Sequence, residues 1–204
     1  MTPGTVLTIG HSTHDLPSLL ALLQQYEVTA VADVRSVPVS RFAPQFNQGA
    51  VERGLNQAAI RYVFLGKELG ARTEDPTCYV DGRVQYGRLA QTVDFVSGIE
   101  RLVRGAQTEH IAIMCTEREP LDCHRTVLIA RALTERGVTI DHIHGDGELE
   151  SHTSAMERLM ARFGLAEADL FRSPAERLEE ALNRQEIRIA YVNEELRGDG
   201  TSEI

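Results

Sequence analysis

The sequence predicts a three-layer α/β domain with a mostly parallel five-stranded sheet, flanking helices and a C-terminal helical extension. Three observations carry this. Short apolar runs alternate with helical periodicities as far as His144, the pattern of strand–helix–strand units. The runs are short and mainly apolar, and Ile111–Cys115 is wholly so, as for strands covered on both faces. Several end in polar residues, as expected where the carboxyl edge of a sheet forms a ligand crevice. The organisation expected is an α/β domain over residues 1–150 and an acidic helical extension over 151–204, packed on the domain or on a partner.

Val6–Gly10 is the first strand. Leu16, Leu19, Leu20, Leu22, Leu23 and Tyr26 follow at helical spacing, with Thr13 or Asp15 as N-cap and Pro17 in the first turn. Thr29–Arg35 is the second strand, closing a βαβ unit with parallel strands. Ser36–Gln48 carries Pro38 and Pro44 and reads as a long loop. Gly49–Ala59 can form a short helix and Ile60–Leu65 a third strand, and Gly66–Arg83 is irregular. Helical periodicity returns over Tyr86–Arg104. Ile111–Cys115 is the fourth strand, Cys123–Arg136 a helix stopped by Gly137, and Val138–His144 the fifth strand. Thr153–Phe163 and Pro174–Leu196 read as helices, and Gly198–Ile204 as a frayed end.

Of the residues, 42% are hydrophobic and 25% charged, ordinary values for a soluble globular chain. The net charge of −9 disfavours general binding to nucleic acid, which needs a basic surface. No apolar run approaches the roughly 20 residues that span a bilayer, so no membrane association is expected. The amino terminus lacks a basic segment followed by a long apolar one, and three unevenly spaced cysteines make no disulfide framework. A reducing cytoplasm is the expected setting.

The chemistry concentrates in Ile111-Ala-Ile-Met-Cys-Thr-Glu117 and Asp122-Cys-His-Arg125. A thiol, a carboxylate, an imidazole and a guanidinium meet at one strand-to-helix junction. Cys115 is either a small core residue or a nucleophile whose pKa is lowered by a helix N-terminus, His124 or Arg125. The Cys-x5-Arg phosphatase spacing would need Arg where Leu121 stands, which excludes that chemistry. Cys123, His124 and Arg125 open a helix with Asp122 as N-cap. Basic residues oppose the dipole there. An anion clamped by Arg125 would offset this, as would an ion pair with Glu117, Glu119 or Asp33. Asp33 and Arg35 end the second strand on one side, and His11 and Ser12 end the first. If these strands neighbour the fourth, His11, Asp33, Arg35, Cys115 and Glu117 meet along one edge. Arg41 and Asn47 sit on the Pro-rich loop with Phe42 and Phe46, where they could clasp a ligand. Cys-x7-Cys-His is not a zinc spacing and no CxxC occurs, so no metal is assigned; His142 and His144 would need a further ligand. No dinucleotide fingerprint or Walker sequence is present, and the cofactor is left unknown.

With these residues assembled, the chain resembles the bacterial family catalogued as Domain of Unknown Function 488. The matching pieces are Thr8-Ile-Gly-His-Ser12, Asp33-Val-Arg35, Pro38 with Ser40-Arg41, Pro44 with Phe46-Asn47, Leu65-Gly66 with Leu69-Gly70, Cys115-Thr-Glu117, Cys123-His-Arg125 and His142-Ile143. They span about residues 6–144 in that order. Thr116 departs from the small residue expected there. The resemblance implies an α/β fold and a polar pocket, and no activity.

The functional expectation is an enzyme acting on a small anionic molecule at the carboxyl ends of the strands, nucleotide derivatives being one candidate class. Cys115, Glu117, His124, Asp33 and His11 are its catalytic candidates; Ser12, Arg35, Arg41, Asn47, Cys123 and Arg125 are its ligand-binding ones. The alternative is a binding or redox-sensing module that uses Cys115 and Cys123. The C-terminal helices could serve an oligomer.

Overall fold

The computed structural model describes residues 4–168 and 170–197. The strands are β1 (Thr5–Gly10), β2 (Ala30–Asp33), β3 (Arg61–Phe64), β4 (Tyr79–Val80), β5 (Arg83–Val84), β6 (Ile111–Cys115), β7 (Thr139–Ile143) and β8 (Leu149–Ser151). The α-helices are α1 (Leu16–Gln25), α2 (Gln48–Gln57), α3 (Gly66–Leu69), α4 (Tyr86–Leu89), α5 (Val93–Gly105), α6 (Arg131–Thr134), α7 (His152–Arg162) and α8 (Pro174–Ile189). The main sheet runs β3-β2-β6-β1-β7-β8, and only the β7–β8 pair is antiparallel. It therefore has six strands, one more than the sequence predicts. Strand β8 is short and polar and pairs along the outer edge of β7, so it lacks the apolar run by which the others are recognised. A separate hairpin, β4–β5, starts within the stretch expected to be irregular and ends one residue beyond it, at Val84.

Helices cover both faces. On one, Leu19 and Leu23 of α1 and Val51 and Leu55 of α2 meet Ile9, Val31 and Met114. All four helical side chains are fully buried, each worth about 1.5–3 kcal/mol. Asp15 caps α1 by accepting from the Ser18 amide at 2.8 Å. On the other face α5, α6, α7 and α8 bury Ile99, Leu102, Leu133, Leu159 and Leu182 against Val6, Ala32, Ile113 and Cys115.

Helical periodicity over Tyr86–Arg104 is interrupted at Thr92, whose side chain caps α5 by accepting from Phe95. The helix expected from Cys123 starts as a π-helical segment, Arg125–Ala130, before α6. Asp122 does not cap it. The Asp122 carboxylate instead accepts from Arg162 at 2.5 Å and from Gln185 of α8 at 2.9 Å, tying the C-terminal helices to the loop after β6. The α8 helix stops at Ile189, short of Leu196. The expectation for Gly198–Ile204 lies outside the described residues. Among the described residues no helix is long and apolar enough to cross a membrane.

After β2 the chain leaves toward α2 on one face; after its neighbour β6 it leaves toward α6 on the other. Adjacent strands whose continuations diverge open a crevice at their carboxyl ends.

Candidate functional site

The crevice is a cleft of about 390 Å³ lined by Arg35, Ser36, Arg72, Tyr86, Cys115, Glu117, Cys123, His124 and Tyr191, among others. Neighbouring β1, β2 and β6 bring the expected residues to one edge. The sheet divides them into two clusters on opposite faces.

The first cluster centres on Asp33, which is wholly buried. Its carboxylate takes the Arg35 Nε and Nη2 donors at 2.9 and 2.6 Å, the Arg35 amide at 3.1 Å and the Tyr62 hydroxyl at 2.7 Å. Arg35 also donates through Nη1 to the Phe46 carbonyl at 2.9 Å and lies 3.2 Å from His11 Nε2. Burial opposes the Arg35 charge, but bonding to Asp33 and its charge outweigh it and raise the Arg35 pKa. The His11 ring stacks on Phe46 at 4.2 Å, and its Nδ1 lies 3.1 Å from the Ser12 carbonyl. Nδ1–H donating to that carbonyl leaves Nε2 to accept from Arg35. Burial, then the Arg35 charge, lower the His11 pKa to about 4, so the ring is neutral. Tyr62 is a member that the sequence analysis did not single out.

The second cluster lies on the other face. Glu117 is exposed as a residue, but its carboxylate turns down onto the thiols: Cys115 and Cys123 both lie 3.0 Å from the same oxygen, Oε2. His124 Nδ1 is 3.7 Å from the Cys115 sulfur and 3.8 Å from that of Cys123. His124 Nε2 lies 3.2 Å from the Val34 carbonyl. Burial opposes charge on this ring, but the hydrogen bond to Cys123 and the Cys123 and Glu117 charges outweigh it and raise its pKa; with Nε2 on the carbonyl, Nδ1 is the nitrogen that faces the sulfurs. The sulfurs and Nδ1 all lie within 4.8 Å of one another, a placement that could hold a metal ion. The two thiols are pushed apart in acidity. The hydrogen bond to Cys123, then burial, hold Cys115 well above the usual thiol value. Burial opposes ionisation of Cys123, but the Cys115 hydrogen bond, Arg125 and His124 overcome it and hold it well below. Burial, then the Cys123 charge, raise the Glu117 pKa.

Arg125 belongs to the second cluster as its support. It is wholly buried, and its guanidinium donates to the Glu117 and Arg118 carbonyls at 2.7 and 3.2 Å. It thus holds the backbone loop that carries Glu117, and none of the carboxylates weighed as partners pairs with it. Gly10 makes this loop possible. A Cβ at Gly10 would fall 1.8 Å from the Glu117 carbonyl oxygen, so only glycine lets the loop cross the end of β1.

The remaining candidates sit further out. Ser12 lines a second hollow beside the cleft and has a φ of 46°, uncommon for a side-chain-bearing residue. Asn47 Oδ1 accepts from the Ser40 amide at 2.7 Å and fastens the Pro-rich loop. Arg41 is exposed on that loop, between Ser40 and Phe42, which line the second hollow. His142 and His144 do not join either cluster. His142 lies between Thr8 and His152, at 2.8 and 3.1 Å, and His144 pairs with Glu150.

Arg72 and Tyr191 are cleft residues that the sequence analysis did not single out, as are Ser36 and Tyr86. Arg72 lies over the Tyr191 ring at 4.8 Å, and no carboxylate among the described residues is paired with it. Neither has a local motif; Arg72 falls in the irregular stretch and Tyr191 in the extension beyond α8.

No curated protein and no solved structure matches the chain significantly. The family model described as Domain of unknown function DUF488 matches residues 15–132. The match includes the cysteines, Glu117, His124 and Arg125, and stops short of Tyr191. Covering more than half of the chain, it shows that this protein belongs to the DUF488 family.

Proposed function

We propose that the chain is an enzyme acting on a small anionic molecule in the cleft above Cys115 and Cys123. The observation that carries this reading is a pairing within one cleft. A carboxylate rests on two thiols at the floor, and a guanidinium without an ion pair among the described residues stands in the lining. Arg72 engages the anion, since a guanidinium free to offer parallel donors suits carboxylate and phosphate groups. Tyr191 holds it in place by cation–π contact. Glu117 is the group that moves a proton, because its carboxylate reaches both the cleft and the thiols. The floor of Cys115, Cys123 and His124 is the reacting centre. Nucleotide-derived anions are the first class to test, the cleft having room for a planar group against Tyr86 or Tyr191.

The test is calorimetric titration of the full chain with inorganic phosphate and with adenosine monophosphate at low ionic strength. Binding of either that Arg72→Ala weakens about tenfold, or about 1.4 kcal/mol, supports the reading. Glu117→Gln should keep that binding and abolish any mass change in the bound compound on incubation. Absence of binding by both anions at millimolar concentration, or binding that Arg72→Ala leaves unchanged, would overturn it.

A further inference from the structure

The floor of the cleft has the composition and spacing of a metal centre. We propose that Cys115, Cys123 and His124 bind one Zn²⁺ ion, with Glu117 bordering its open fourth position. This deepens the proposed function by naming a cofactor for the same site, and rests on that reading only for the open position.

Three observations carry the assignment. The first is distance. Zinc takes sulfur at about 2.3 Å and nitrogen at about 2.0–2.1 Å, so tetrahedral angles put the two atoms about 3.6 Å apart. The observed separations are 3.7 and 3.8 Å. The second is orientation. His124 Nε2 faces the Val34 carbonyl at 3.2 Å, the usual outer support of a metal-binding imidazole, and Nδ1 faces the sulfurs. The third is support of a thiolate: the Arg125 amide points at the Cys123 sulfur from 3.5 Å.

Two thiolates and an imidazole are a soft-to-borderline set that suits zinc, and three protein ligands with an open position are the pattern of catalytic rather than structural sites. The cleft reaches all three ligands, which gives the ion a path in. Binding is balanced by proton release: each thiol gives its proton to solvent as its sulfur–zinc bond forms, and no oxidation is involved.

The experiment uses the full chain, reduced and freed of metal with a chelator. Zn²⁺ should bind in one equivalent, retained against a chromophoric chelator, and should shield Cys115 and Cys123 from alkylation while leaving Cys78 unchanged. Co²⁺ in its place should give an intense near-ultraviolet band from sulfur-to-metal charge transfer, diminished in Cys115→Ser and in Cys123→Ser. Should either variant misfold by circular dichroism, the wild-type band and the alkylation pattern still decide. A protein that takes up no stoichiometric Zn²⁺, a Co²⁺ spectrum without the sulfur band, or a Cys115–Cys123 disulfide whose reduction restores no metal binding would overturn the assignment. Anion binding is titrated separately with and without Zn²⁺. Failure of the metal arm alone therefore leaves the enzyme reading standing, and failure of the anion arm alone leaves the zinc centre standing.

Discussion

The Asp33–Arg35–His11 cluster and the Cys115–Cys123–His124 cluster share one sheet edge and differ in how their polar groups are satisfied. In the first, each polar group answers another: carboxylate to guanidinium, hydroxyl to carboxylate, imidazole to carbonyl. Such a network resists change, because removing any member leaves a buried group unpaired. In the second, both thiols converge on one carboxylate oxygen, and an imidazole nitrogen faces sulfur. Thiols are weak donors and this carboxylate reaches the cleft, so the arrangement can be rearranged by a proton, a metal ion or a ligand. The first cluster is a closed frame and the second an open arrangement, and Arg35, which lines the cleft while bound to Asp33, is where they meet.

The sharpest way to break this comparison is Asp33→Ala. It strips the counter-ion from Arg35, which is only 5% exposed, and the acceptor from Tyr62. We expect a loss of about 3–5 kcal/mol of unfolding free energy, measured in urea. A loss below about 1 kcal/mol would show that the frame is dispensable. His11 gives a second, pH-dependent view. Its folded pKa of about 4 lies below the ordinary 6.5, so the unfolded chain takes the proton first. Stability is then full above pH 6.5 and falls as pH drops toward 4, by up to about 3 kcal/mol from this ring. His11→Gln should make that slope shallower. It should not flatten it, because burial also lowers His142 to about 3 and His152 to about 4. An unchanged slope would show that the His11 ring is not held neutral by the frame.

Gly10 tests the link to the thiol cluster. Gly10→Ala drives a methyl group into the Glu117 carbonyl, and the Arg125 contacts leave the loop little room to move. A cost of about 1–3 kcal/mol is expected, together with altered alkylation rates at Cys115 and Cys123, read peptide by peptide. Alkylation rates equal to wild type would mean that the loop does not set the thiols' environment.

The sheet was legible because β1, β2 and β6 are mainly apolar runs, and the site's edge because each leads into polar residues. The split into two faces was not legible. It depends on register: Asp33 sits opposite Met114, so Cys115, one residue on, points to the other face. The metal-like geometry was hidden for a related reason. A 3₁₀ turn at Pro120–Asp122 folds Cys123 and His124 back over Cys115, which a search for regular ligand spacings cannot see. The π-helical start of the next helix has no sequence signature either. Arg72 and Tyr191 meet from distant parts of the chain, and nothing in the local pattern of either announces the other.

Arg72 supplies the smallest effect on stability and the cleanest separation of the two regions' roles. It is exposed and has no ion pair among the described residues, and its contact is the face of Tyr191. An exposed cation–π contact is worth about 0.5–1 kcal/mol, and truncation leaves no buried charge unpaired. Arg72→Ala should therefore lower unfolding free energy by no more than about 1 kcal/mol, within a few degrees of melting temperature. The same substitution should weaken phosphate binding about tenfold and leave the metal-dependent shielding of Cys115 and Cys123 intact. Those three readouts move together only if Arg72 is part of the frame. If stability and thiol shielding hold while phosphate binding drops, the anion contact belongs to the cleft rim, independent of the chemistry on its floor.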